Sequence, residues 1–453
     1  MCLLLRVCVI IQLVPLIQAP STPTNTITST SDRAQASEPL WAHRTLWSIA
    51  SSCALTIFAC IYNAIHPNIP GPKDSHLRIL RRRLGIATMT LIAPELIVAW
   101  AIRQWLSARS VTAQYKEYFS DLPPQGCFEN NEPAEAPAEQ HEDQVNPQAP
   151  VAHAEDYAWT LTHSFFVLMG VFMLYVDGEP YHTLQPDQLL RLMRGGFIDP
   201  LTITVDQIND KSKRNVVSNG IVVYQAILFL TSRVVNYLDV TLLEWGTLVF
   251  AVFNYISFAV WWHKPLDTQC PHPVYWKSTQ SQLHHYIDNT PQNDPYRALP
   301  PVFCPLLELM GWLDVPTSRK LRVPTFDGSI KLNHSEQVVL LLCGLFMATI
   351  FGGIHCLAWS SAFPTYQEQA LWRISAVASI CAPWLGFLVG WLFVIVNCES
   401  MVLALRGSMV RVSCAMLYIT GRAILLILMV ATLRSLPPDA YEEAPWISQV
   451  PHL

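Results

Sequence analysis

Residues 412–432 read VSCAMLYITGRAILLILMVAT, an apolar run with one charged side chain, Arg422, at its centre. As a helix rising about 1.5 Å per residue, the run spans a hydrocarbon core of about 30 Å. Lipid offers backbone N–H and C=O groups no partners, so a run of this length crosses as a helix that satisfies them internally. Residues 337–359, QVVLLLCGLFMATIFGGIHCLAW, repeat the pattern without any formal charge. Working outward, six more stretches qualify: Thr45 to Ile65, Leu84 to Leu106, Trp159 to Val176, Val216 to Asn236, Thr241 to Trp262 and Leu371 to Asn397. Eight runs predict an all-α fold, a polytopic transmembrane helix bundle.

The composition agrees. Of 453 residues, 51% are apolar and only 14% are Asp, Glu, Lys or Arg, against roughly 25% charged in ordinary soluble domains. A net charge of -5, with 29 basic and 34 acidic residues, excludes a nucleic-acid partner. Leu3 to Ile17 is apolar apart from Arg6 and Gln12 and runs into Ala19, which predicts a signal peptide over residues 1–19 and an outer polar segment over 20–44. Pro20 directly after that bond would hinder cleavage and leaves a retained anchor as the alternative. The cysteines lie mostly inside apolar runs and show no CxxC spacing, so no disulfide framework, metal site or cofactor is expected.

Basic loops stay on the cytoplasmic side. With the mature N-terminus outside, the inside receives five basic residues in 66–83, five in 177–215, seven in 263–336 and two in 398–411, while the outside keeps Arg33, Arg44, Arg109, Lys116 and Arg434. Both mature termini are therefore predicted outside, in a protein that enters the secretory pathway and has the lipid bilayer as its first partner. The loop 107–158 becomes an outer one, disordered where Pro and Glu dominate Pro123 to Pro150. Inside, Asp187 to Arg194 forms an amphipathic helix before Gly195-Gly196, placed to lie on the inner leaflet or to join a small folded cap. The large loop 263–336 is also cytoplasmic, the tail 433–453 is outside, and the sequon Asn333-His334-Ser335 falls on the inner side, where it is not glycosylated.

Several strings resemble a large family of uncharacterised fungal multi-pass membrane proteins: Ala93-Pro94-Glu95-Leu96 with Ala99 to Trp105, Trp159-Thr160-Leu161-Thr162-His163, Asp210 to Lys213, Trp261-Trp262-His263-Lys264-Pro265-Leu266, and Phe351 to Cys356 with Leu371 to Ile374. The resemblance implies a multi-pass architecture and no particular activity.

The few ionisable residues inside the runs carry the functional interest, because a charge at that depth costs several kcal/mol unless paired, neutral or wetted. Glu95 follows Pro94 near the middle of the second run and Arg422 lies at the middle of the last, so an ion pair is available if those helices touch. Arg233, Glu244 and Arg373 lie near the outer ends of their runs, with Arg103 close by, as an outer-mouth charge cluster. Within it, a salt bridge from Arg233 to Glu244 would hold the hairpin between two runs, and the arginines would otherwise meet an anionic solute or headgroup. His163 and His355 stand inside runs without any paired metal-ligand spacing, as helix packing residues or as catalytic candidates. No P-loop, Rossmann fingerprint or nucleophile elbow occurs. Three functions remain: a small-solute transporter-like or ligand-binding membrane protein, which mid-depth Glu95 and Arg422 favour; a receptor or scaffold binding a cytoplasmic protein through its inner loops; and a membrane-embedded enzyme acting on a lipid-soluble substrate through Glu95, His163 and His355.

Overall fold

The structure, a computed structural model, describes residues 44–72, 74–120, 159–199, 201, 203–210, 231, 233–266, 268, 271–277, 321, 323, 332–396 and 401–442. The expected signal peptide, the Pro/Glu-rich stretch, most of 216–236 and most of 263–336 lie outside the described residues.

Five described helices are long and apolar enough to cross a membrane: α1 (Leu46–Ala64), α7 (Leu242–Val260), α8 (His334–Leu357), α9 (Tyr366–Val396) and α10 (Met401–Ala431). Each coincides with a predicted run. Their starts follow local rules: Thr45 accepts from the Ser48 N–H at the head of α1, Thr241 and Glu244 form a capping box for α7, and Asn333 and Glu336 form one for α8. Outward-facing Phe346, Leu388, Leu392, Ile427 and Val430 stay exposed on α8 to α10, as expected of side chains turned to lipid. Close backbone approach explains one glycine: a Cβ on Gly352 of α8 would lie 2.9 Å from the Ala376 carbonyl of α9.

The second predicted run is not one straight helix. It is α2 (His76–Ile92) and α3 (Pro94–Ser120), bent by 114°. Pro94 causes the break: its ring disfavours the helical region for the preceding residue, and Ala93 sits at φ -145°, ψ 74°. Pro94 then opens α3, where a missing N–H goes unnoticed. The two arms return to one layer of the molecule. On that layer Arg82 donates to the Asn68 carbonyl (3.1 Å), the Ile69 N–H to Met169 (3.2 Å), and the Tyr115 hydroxyl, far along α3, to Pro186 (2.9 Å). Residues 107–120, expected in an outer loop, are instead the last turns of α3.

The third predicted run, Trp159 to Val176, does not span either. It forms the short α4 (Leu161–Leu168) and then strand β1 (Phe172–Val176). With β2 (Glu179–Thr183) and β3 (His272–Tyr275) it makes a three-stranded sheet in the order β2-β1-β3, so the fold is mostly helical rather than all-α. β1 and β2 are antiparallel, with Val176 opposite Glu179 and Met173 opposite Thr183, while β3 runs parallel to β1 with Phe172 beside His272. The hairpin turns at Asp177-Gly178, both at positive φ (51° and 83°), the tight turn that Asp-Gly favours.

The amphipathic helix exists as α5 (Pro186–Arg194) and ends as Gly196 takes positive φ. Its apolar face meets protein rather than a leaflet: Leu189, Leu190, Leu192 and Met193 are buried in one core with Tyr115, Trp159, Phe165, Phe166 and Phe172. α4, the sheet, α5 and the short α6 (Val205–Asp210) thus form a cap on the far end of α3. A second core joins α1, α3, α7, α8, α9 and α10 around Val98, Phe253, Phe351, Trp372 and Leu425.

Candidate functional site

Glu95 stands in the first turn of α3, where the helix dipole favours a carboxylate. It is nearly fully buried and receives two charge-assisted bonds: the Tyr418 hydroxyl donates to Oε1 and Arg422 Nη2 to Oε2. Tyr418 and Arg422 are four residues apart on α10 and share a face, so the phenol oxygen also accepts from Arg422 Nε (3.1 Å) and Nη2 (2.9 Å). The guanidinium lies over the Phe351 ring of α8. The expected Glu95 to Arg422 pair therefore forms, at the apex of the bent hairpin. Tyr418 went unnoticed in the sequence, although a polar residue one turn before Arg422 was the available signal.

His355 of α8 joins this centre. Its ring stacks on Phe351 with centroids 4.2 Å apart, and Nδ1 bonds the Phe351 carbonyl at 2.8 Å. Trp372 of α9 donates to the His355 carbonyl at 3.0 Å. Two polar atoms stay buried without a hydrogen-bond partner among the described residues, His355 Nε2 and Arg422 Nη1. Both residues line one narrow crevice that has no room for a water-sized sphere in this conformation. Gly246, Phe250, Leu426 and Met429 supply apolar wall, and Leu91 and Ile92, both exposed, form its rim.

The outer cluster assembles only in part. Glu244 binds Arg44 at 2.7 Å while its other oxygen caps α7 through the Thr241 N–H (2.8 Å) and hydroxyl (3.0 Å). The predicted Arg233 to Glu244 pair forms too, longer at 4.0 Å with both side chains buried, while Arg233 also clasps carbonyls, Asp239 at 3.1 Å and Glu442 at 2.8 Å. Arg373 sits elsewhere, donating to the Trp359 carbonyl (2.9 Å) and stacking on its ring. Arg103 is buried on α3, adjacent to Gln104, which faces the cap side. The four residues do not form one cluster. What joins the start of α1, the start of α7 and the segment after α10 is Arg44 with Glu244, reinforced by Arg44 Nη2 on the Ala440 carbonyl (2.5 Å).

Sequence reasoning missed Lys264. This residue follows α7, is fully buried, and donates to the His66 carbonyl (2.7 Å) and to Gln104 Oε1 (2.8 Å) between the Trp100 and Trp261 rings. Trp261 Nε1 donates to the same Gln104 oxygen at 3.1 Å. Burial pushes the Lys264 ammonium well below its ordinary pKa. The Trp261 to Leu266 string thus serves as a tether between α7, α3 and the loop after α1.

His163 belongs to the cap. Its Nδ1 meets the Thr160 N–H (3.2 Å) and hydroxyl (2.8 Å), and Nε2 the Ile203 carbonyl (2.8 Å). Burial lowers its pKa, partly offset by the Ile203 bond. It caps a helix and ties down a loop, apart from Glu95 and His355, so the three enzyme candidates do not converge. No group of three His, Cys, Asp or Glu placed to hold a metal occurs among the described residues.

The model of one family, described as a family of unknown function (DUF8562), matches residues 13–285. The match takes in Glu95, the cap and Lys264 and ends before α8. No curated protein and no solved structure matches the chain.

Proposed function

We propose, for a chain that belongs to this family of unknown function, that it is an integral membrane protein whose hairpin of α2 and α3 is re-entrant and whose polar centre at the hairpin apex binds a ligand. The observation that carries this is the pairing of Glu95 with Arg422 at the apex, where buried His355 Nε2 and Arg422 Nη1 are left without a hydrogen-bond partner among the described residues. Native proteins leave few buried polar groups unsatisfied, and those that remain mark places where a ligand or water belongs.

Topology follows from the same reading. With Val216 to Asn236 crossing as its hydropathy predicts, both mature termini lie outside and the cap lies in the cytoplasm, after entry by the secretory route. The re-entrant hairpin moves Arg109 and Lys116 inside, leaving only Arg33, Arg44 and Arg434 outside, which strengthens the positive-inside bias. The strings shared with uncharacterised fungal multi-pass proteins support this architecture. Ligand binding ranks above aqueous transport because the pocket rim, Leu91 and Ile92, lies on an apolar outer surface.

Native mass spectrometry of the intact protein tests the binding reading. Wild type should retain a small molecule that Ile92→Trp, a change at the exposed rim, releases; identical spectra would remove the idea. Single cysteines at Leu77 and Lys116 test the hairpin. Both should react with an impermeant maleimide from the same side, and labelling from opposite sides would show that the pair crosses.

A further inference from the structure

The hairpin arm α2 turns one face away from the rest of the chain. Leu77, Leu80, Leu84 and Leu91 are all exposed, Leu77 by 75%, and at about 100° per residue they fall within one arc of about 60°. The opposite face packs inward through Ile86 and Thr90. Exposed side chains on α8 to α10 are largely apolar at mid-helix, whereas this stripe is bordered by cations in its first two turns. Arg78 and Arg81, one turn apart, are both exposed beside it. Arg78 shares its charge with Asp74 at 3.0 Å, while Arg81 makes no hydrogen bond or ion pair with any described residue. Arg82 and Arg83 differ from them. Both are half-buried, and Arg82 holds the Asn68 carbonyl at 3.1 Å, so their charges serve the fold.

Spacing along the helix sets the depth of these groups. Arg81 precedes Leu91 by ten residues, about 15 Å of helix, which is half of a hydrocarbon slab about 30 Å thick. With Leu91 beside the hairpin apex at mid-membrane, Arg78 and Arg81 arrive at the level of the lipid phosphates, and Leu84 and Leu91 lie along the acyl chains of one leaflet. Water alone would satisfy the two guanidinium groups but would leave Leu77 and Leu80, on the same turns, wetted. A phospholipid answers both demands. Its phosphate oxygens match the guanidinium fork, and its chain covers the leucines. Two arginines less one aspartate leave one positive charge, which an anionic headgroup balances and a choline headgroup, carrying its own cation, does not. Positive loops face the cytoplasm, where the anionic phospholipids are.

We infer that this face of α2 binds an anionic phospholipid of the cytoplasmic leaflet, its phosphate held by Arg81 and Arg78 and its acyl chain laid along Leu84 and Leu91. The inference rests on the membrane reading above and is independent of any ligand at the Glu95 centre.

The test is native mass spectrometry of the full-length protein released from nanodiscs of equimolar phosphatidylserine and phosphatidylcholine. Wild type should retain phosphatidylserine in preference. Arg81→Gln should cut that preference about fivefold, the span expected for one basic side chain at a membrane surface, with unchanged thermal stability because Arg81 has no partner to lose. Arg411→Gln removes another exposed arginine from the predicted inner side, one that bonds Ser408, and should leave the preference intact. Soluble glycerophosphoserine should not compete, since it lacks the chains that cover the leucines. No preference in wild type, a preference that survives Arg81→Gln, an equal loss in Arg411→Gln, competition by the soluble headgroup, or a copurifying protein that covers α2 in place of lipid would each overturn the proposal. Cysteines at 77 and 116 labelled from opposite sides, with the preference intact, would remove re-entry of the hairpin while leaving the lipid site standing.

Discussion

Replacing Glu95 by Gln keeps an oxygen for the Tyr418 phenol but removes the charge that balances the Arg422 guanidinium. Arg422 and Glu95 expose only 2% and 5% of their side chains, so little water screens the loss. Breaking a buried pair by removing one partner costs about 3–5 kcal/mol, and E95Q belongs in that range. R422M should cost less, about 1–3 kcal/mol, because the stranded carboxylate keeps the Tyr418 hydrogen bond and its place at the start of α3. The double variant E95Q R422M leaves no buried charge, and the introduced amide oxygen still accepts from Tyr418. It should lie within about 1 kcal/mol of wild type, since such pairs replaced together are often neutral. Thermal unfolding in detergent, followed by tryptophan emission, reads the cycle. For a chain this long about 4 kcal/mol moves Tm by roughly 5 °C, so E95Q should melt lowest and the double variant near wild type. Single losses that add to within about 0.5 kcal/mol in the double variant, or an E95Q protein as stable as wild type, would refute a coupled buried pair.

Three further outcomes follow from the geometry. Q104L removes the oxygen shared by Lys264 Nζ and Trp261 Nε1; two stranded donors should cost about 2–4 kcal/mol, seen as a lower Tm and faster proteolysis at the base of the cap. Burial holds His182 of β2 down at about 4 from an ordinary 6.5, so the unfolded cap binds the proton more readily than the folded one. Cap stability is then full above about pH 6.5 and falls as pH drops toward 4, by about 2 kcal/mol at pH 5; hydrogen exchange over residues 172–193 should show this, and H182Q should flatten the response. E244Q weakens both the Arg44 ion pair and the α7 capping box and should lower Tm by more than R373Q, whose parent arginine bonds the Trp359 carbonyl and stacks on its ring at the surface; equal effects would contradict the placement of Glu244 at the junction of α1, α7 and the segment after α10.

Much of this was legible in the residues themselves. The runs that became α1, α7, α8, α9 and α10 are each about 20 residues long and apolar, a length that a hydrocarbon slab dictates without reference to any neighbour. Glu95 and Arg422 were recognisable as partners because a buried charge needs one wherever the helices pack. The third run misled because an apolar stretch entering a protein core has the same composition as one entering lipid. Its corrective signal was present in Asp177-Gly178, a hairpin turn immediately after Val176. Pro94 likewise announced a break, but hydropathy summed across it reads as one continuous span.

Sequence by itself thus determined which segments avoid water and which charges within them require company, since both depend on local free energies of transfer. Only tertiary structure decided that α2 and α3 fold back toward one side, that Tyr418 and His355 complete the Glu95 centre, and that Lys264 ties the end of α7 to α3 and the loop after α1. Those outcomes depend on which helix faces meet, a property of side chains 17 to 327 positions apart in the chain. The physical reason is that transfer energies add residue by residue, whereas a hydrogen bond or ion pair exists only when packing brings both partners within about 3 Å.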